Sequence, residues 1–236
     1  MIFGKDYRSL IKEFFDTRIS EDESLILYLK YSGVLINALD KVVAFDVADL
    51  LGKGGVDMVE KLDLLIYTHG HYDHFEYRNC IELFKKTNAY VVAEPSVASQ
   101  VKDVIPPDKL IDARPGESRE LDGFKIHFIE GSHVGPITLY IVEYGGLRIF
   151  HGGDSAYVPV KEFNADIAFL PVGKPSPTAS PTDALKMLMD LKPKIVIPIH
   201  GSESEMRDFE NLVKSRYPDI NVVRIREYSL AKVKLK

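Results

Sequence analysis

The sequence predicts an α/β fold, layers of sheet and helix built as a single domain over residues 1–236. Three observations predict it. Short β-branched and aromatic runs recur along the chain. Helical patterns fall between them at intervals. No low-complexity stretch or linker of domain-separating length interrupts the series. At 45% hydrophobic residues, the chain also has ample material for a core.

The elements follow in order. Residues 1–20 hold an N-terminal helix in which Leu10, Ile11, Phe14 and Phe15 share one face; it docks on the domain or, alternatively, meets another subunit. Strands are expected at Ser24–Leu29, Val34–Ile36 and Val42–Val47. Gly52-Lys53-Gly54-Gly55 lacks the G-x-x-x-x-G-K-[ST] spacing of a phosphate loop and reads as a flexible connection. A short helix over Asp57–Leu62 leads into Asp63–Thr68, whose unbroken apolar run reads as a buried strand. Asn79–Lys86 has helical period, Ala89–Ala93 is a strand, Pro95–Val101 a short helix and Lys109–Asp112 a brief strand. Arg114 to Ser118 is a turn. Phe124–Glu130 and Thr138–Tyr144 are strands, and Gly145-Gly146 joins the second to Leu147–Phe150 as a hairpin. Asp166–Pro171 is a strand that enters a long polar loop, 172–181. Thr182 caps a helix over Asp183–Leu191, Lys194–Ile199 is a strand, Glu205–Arg216 a helix, and Asn221–Ile225 and Ala231–Leu235 the terminal strands.

The chemistry concentrates in Thr68-His69-Gly70-His71-Tyr72-Asp73-His74. Three of the seven histidines and one carboxylate fall within six residues there, in the pattern H-x-H-x-D-H. Imidazoles and a carboxylate in such a cluster suit a borderline-soft divalent metal. The cluster begins where the Asp63–Thr68 strand stops. Three further apolar runs end in a ligand type: Ile126–Glu130 into His133, Leu147–Phe150 into Asp154, and Ile195–Ile199 into His200. Strand ends converging on one edge would gather five histidines and two aspartates. Three imidazoles can hold one metal with a tetrahedral position left open, and the other imidazoles and carboxylates can hold a second.

Bulk properties narrow the partners. The net charge of -5, with no basic block, weighs against a nucleic-acid surface and leaves a small-molecule substrate. The one cysteine, Cys80, rules out an intramolecular disulfide, fits a reducing compartment and reads as a small packed hydrophobe. The N-terminus is too polar for a signal peptide, and no apolar run approaches the ~18 residues needed to span a bilayer, so a cytoplasmic location without membrane contact is expected. An oligomer stays open.

The order H-x-H-x-D-H, then His133, then Asp154 within Gly-Gly-Asp-Ser, then His200, resembles the metallo-β-lactamase superfamily. The resemblance implies a four-layer αββα sandwich with a dinuclear site at one edge. It implies that His69, His71 and His133 bind the first metal, that Asp73, His74 and His200 bind the second, and that Asp154 bridges. Asp46 resembles the family's strand-end aspartate that steadies the ligands. The stretch Ala-Asp-Ile-Ala-Phe-Leu-Pro-Val-Gly, with the later Leu-Lys-Pro-Lys-Ile-Val-Ile-Pro-Ile-His, is similar to the branch of L-ascorbate-6-phosphate lactonase and the metal-dependent hydrolases resembling it.

What this implies is a hydrolase that uses hydroxide at a dinuclear site on a small ester, lactone or phosphodiester. Two divalent ions are the expected cofactors; zinc leads, and imidazole and carboxylate ligands also suit manganese and iron. Asp73 would orient the hydroxide or protonate a leaving group, and so is the catalytic candidate.

The sequence departs from that branch after the Asp166–Pro171 strand. Relatives carry Gly-x-x-x-Thr-Met; here the loop reads Gly173-Lys174-Pro175-Ser176-Pro177-Thr178-Ala179, which keeps the threonine and stiffens the loop. Lys174, Thr178 and Tyr72 are the substrate-binding candidates, Lys174 for an anionic substrate. The alternatives are a solvated loop lysine and a tyrosine away from the cleft. His127 is expected at the surface or packed, and His151 as a core residue or a support behind the ligands rather than a ligand.

Three other functions compete. An RNA-processing nuclease of the same superfamily would usually carry an arm or inserted domain for RNA. A di-iron oxidoreductase would replace His71 with glutamate and add a flavin domain. A metal-stabilised binding protein would not catalyse at all.

Overall fold

A computed structural model describes residues 7–173 and 178–235. They form two compact units, one of the described residues up to Asp112 together with those from Ile225, the other of Ala113–Arg224. In chain order, the first unit runs α1 (Tyr7–Asp16), β1 (Glu23–Tyr28), β2 (Val34–Ala38), β3 (Lys41–Phe45), β4 (Leu64–Tyr67), α2 (Tyr77–Thr87), β5 (Tyr90–Ala93), α3 (Pro95–Val101) and β6 (Leu110–Asp112). The second runs β7 (Ser118–Leu121), β8 (Phe124–Glu130), β9 (Thr138–Tyr144), β10 (Leu147–His151), β11 (Ile167–Pro171), α4 (Pro181–Leu191), β12 (Ile195–Ile199), α5 (Glu203–Arg216) and β13 (Asn221–Val222). The chain then returns to the first unit as β14 (Ser229–Lys234).

The first unit's sheet has the order β14-β1-β2-β3-β4-β5-β6. Its β14, β1, β2 and β3 are antiparallel neighbours, whereas β3 to β6 run parallel. Alternate strand residues such as Leu25, Leu35, Ala44, Leu65 and Val91 join Leu10, Ile11 and Phe14 of α1, Cys80 and Leu83 of α2, and Val97 of α3 in one buried cluster. The residues between them, Ile26, Ile36, Val43, Leu64 and Ile66, are buried as well. Burial on both faces removes any need for polar alternation, which is why these strands read as unbroken apolar runs. The second unit's sheet has the order β13-β12-β11-β10-β9-β8-β7, with β10 to β13 parallel. There α4 packs on β11, and α5 on β12 and β13. In each sheet, therefore, a set of parallel strands delivers its carboxyl ends to one edge, where open α/β sheets present ligands.

Several expectations need correcting. Instead of a helix over Asp57–Leu62 there is a single 3-10 turn, Val56–Met58; Val59 is already extended and buried, so the segment feeds β4. The polar strand β7 occupies what reads as the end of a turn, and with three of its four residues exposed it has no apolar signal to find. Ser180 rather than Thr182 caps α4, accepting from Asp183 N at 3.2 Å. The Gly52–Gly55 segment is not a loose connection. It is a hydrogen-bonded turn, and a Cβ on Gly55 would collide with the Leu51 carbonyl oxygen. Among the described residues, no helix is long and apolar enough to cross a membrane.

Candidate metal centre

In the first unit, β3 and β4 end side by side. Asp46 follows β3 with a left-handed backbone (φ 47°) and its carboxylate is fully buried. A non-glycine residue held there costs of order 1–3 kcal/mol, so neighbouring bonds must hold it. They are visible: Asp46 Oδ1 accepts from Thr68 N at 2.8 Å, and Oδ2 accepts from Thr68 Oγ1 at 2.7 Å and faces His74 Nδ1 at 2.9 Å. The turn after β4 is closed by His74 N and Phe75 N, both donating to His71 O, and by Ala48 N donating to His74 O. Phe75 then meets the Tyr67 ring edge-on at 5.1 Å and anchors the turn in the core.

This turn brings together the four expected ligands of its unit. His69 Nε2 lies 3.0 Å from His71 Nδ1, and His74 Nε2 lies 3.6 Å from Asp73 Oδ2. His69 and His74 are buried, Asp73 is partly so, and His71 is exposed. Two ring nitrogens at hydrogen-bond distance, beside a carboxylate and a further imidazole, form a donor set that fits a divalent cation.

In the second unit, β10 and β12 supply the matching ends. His200 follows β12, again with a left-handed backbone (φ 47°), and its Nε2 lies 2.9 Å from Asp154 Oδ2. Ser155 ties the loops: its Oγ accepts from Ser132 N at 2.9 Å and donates to Ala156 O at 2.7 Å, while Ala156 N donates to Ser132 O. The loop carrying the half-buried His133 is thus fastened to the loop carrying Asp154. Ala179 N donates to Ser155 O, which brings the buried Thr178 to the same edge.

The remaining predicted residues fall as follows. Tyr72 projects from the His71–Asp73 turn and is 83% exposed, so it is no part of the core. Lys174 lies outside the described residues. His151 is fully buried, accepts from Gly153 N at its Nδ1 and lies against Phe169, as a core residue should. His127 packs half-buried, with its Nε2 2.9 Å from Glu143 Oε1. Burial pushes the Glu143 carboxyl up, but its bonds to His127 and Arg148 outweigh this and leave it below its ordinary value. Sequence reasoning gave no role to Thr68 or Ser155. A hydroxyl directly before His69 and another directly after Asp154 were the available signals.

Residues 33–201 match the family model described as the β-lactamase superfamily domain. Residues 179–224 match that of the Zn-dependent metallo-hydrolase RNA specificity domain. A metal-dependent hydrolase of Lysinibacillus sphaericus is 32% identical over 219 residues, covering 80% of this chain and 92% of the relative. A metallo hydrolase from the archaeon Ignicoccus hospitalis superposes with a TM-score of 0.77 at 20% identity, over 91% of this chain and all of its own. The metallo-β-lactamase fold protein YhfI of Bacillus subtilis superposes at 0.67 and 14% identity, over 90% of this chain and 100% of that one.

Proposed function

The chain belongs to the β-lactamase superfamily, among its metal-dependent hydrolases, and from that premise we propose that it opens a small ester, lactone or phosphodiester at a dinuclear site. The observation that supports this best is the donor set at the strand ends: His69, His71, Asp73 and His74 after β4, and the Asp154–His200 pair after β10 and β12. In this reading His69, His71 and His133 hold one ion, Asp73, His74 and His200 hold the other, and Asp154 is shared. Zinc is the proposed metal, with manganese or iron as the other ions these ligands suit. Held by these residues, such ions would supply an acidified water and polarise the oxygen of the bond to be broken.

The chain's own groups do the rest. Asp73, whose Oδ2 lies 3.6 Å from His74 Nε2, is the proposed group to orient the hydroxide or to hold a proton for the leaving group. Asp46, buried and bonded to Thr68 and His74, keeps the ligand rings from turning. Tyr72, exposed next to two ligands, and Thr178, buried on the β11–α4 loop, are the proposed substrate contacts, with Lys174 as the counter-charge for an anionic substrate.

Protein loaded in turn with zinc, manganese and iron should hydrolyse at least one of a series of p-nitrophenyl esters, lactones and bis(p-nitrophenyl) phosphate. The rate should vanish in His71→Ala. No turnover with any ion on any of these substrates overturns the reading.

One observation favours a second reading. The match of residues 179–224 to an RNA specificity domain suggests a nuclease of the same superfamily. Retarded migration of structured RNA at low salt, with cleavage on adding metal, would support it; the net charge of -5 weighs against it.

A further inference from the structure

A single proton placement follows from the distances around Asp46. Thr68 Oγ1 lies 2.7 Å from Asp46 Oδ2 and 2.9 Å from His69 Nδ1. A hydroxyl has one proton to give. Asp46 already accepts from Thr68 N at Oδ1, and its Oδ2 faces His74 Nδ1, so it serves as an acceptor on every side. The Thr68 proton therefore goes to Asp46, and the Thr68 oxygen accepts from His69 Nδ1–H. With Nδ1 protonated, His69 presents the lone pair of Nε2, the atom 3.0 Å from His71 Nδ1. By the same bonding His74 donates from Nδ1 and presents Nε2, the atom 3.6 Å from Asp73 Oδ2.

The geometry points to Thr68 as a positioning residue that passes the hold of Asp46 on to His69, so that one buried carboxylate orients a ring in each proposed ligand group, His69 through the Thr68 hydroxyl and His74 directly. This rests on the dinuclear reading above. It separates two residues that otherwise look alike: losing the Thr68 hydroxyl disturbs one metal position, and losing the Asp46 carboxylate disturbs both.

The test uses cobalt as the probe, titrated into metal-stripped wild type, Thr68→Val, Thr68→Ser and Asp46→Asn, read by cobalt absorption and by competition with a chelator. Thr68→Val should weaken one of two equivalents by about 10–100-fold and leave the other within about threefold. Thr68→Ser should restore the lost affinity. Asp46→Asn should weaken both. A second measurement needs no variant: ring-nitrogen NMR of the zinc-loaded wild type should find the His69 proton on Nδ1. Two equivalents bound normally by Thr68→Val, or the His69 proton on Nε2, overturns the relay and leaves the functional reading standing. Wild type that takes up no cobalt overturns both.

Discussion

His200 Nε2 stands 2.9 Å from Asp154 Oδ2, and both residues are buried at the carboxyl edge of the second sheet. Replacing His200 with alanine should lower kcat/KM on the best substrate by at least about 10²-fold and leave the far-ultraviolet spectrum unchanged. Turnover within tenfold of wild type would remove His200 from the site.

Cys80 offers a probe of the first unit's interior. It is fully buried on α2, and burial pushes its thiol up to about 12. Measured from an ordinary value near 9, the thiolate at pH 8 is about 10³-fold scarcer than in an exposed thiol. Native protein should therefore be inert to a disulfide reagent at pH 8 and react with one thiol equivalent in denaturant. The sign of the linkage follows. The raised folded value means that stability is intact below the unfolded pKa and falls above about pH 9, where only the unfolded thiol ionises. Prompt native labelling would contradict the packing of α2.

The helix after His200 begins with a capping box, in which Glu205 N donates to Ser202 Oγ and Ser202 N donates to Glu205 Oε2 at 2.9 Å. Ser202→Ala should cost about 1 kcal/mol and lower Tm by about 2–4 °C. Metal content should stay as in wild type, since Ser202 touches no ligand. A thermal melt checks the first part and elemental analysis the second.

On α1, Phe14 is fully buried and meets Phe15 edge-on at 5.1 Å. If the helix is an integral layer of the first unit, Phe14→Ala should cost about 3 kcal/mol in urea denaturation. A loss below 1 kcal/mol would mean that α1 is only loosely attached.

The sequence made the strands legible wherever burial on both faces left unbroken apolar runs, as in β4, β11 and β12. It also made the candidate ligands His69 and His200 legible, because each stands at the end of such a run. The elements it missed are those whose determinants are polar or remote. Strand β7 is specified by its pairing with β8 rather than by its own residues. The start of α4 turned on which of two hydroxyls, Ser180 or Thr182 on either side of Pro181, reached a backbone N–H, a matter of angles rather than composition. The same holds for Thr68, whose proposed role rests on three distances from its amide and hydroxyl.

The pairing of β14 with β1 has a consequence for synthesis. Glu23 lies opposite Lys234, so the flank of the first sheet is covered by a stretch of chain synthesised long after β1. While the polypeptide is still being made, β1 must wait with one row of amides and carbonyls unsatisfied, beside the nascent chain of other ribosomes. Truncation before Ser229 should therefore yield a product that aggregates during expression rather than one that is merely less stable.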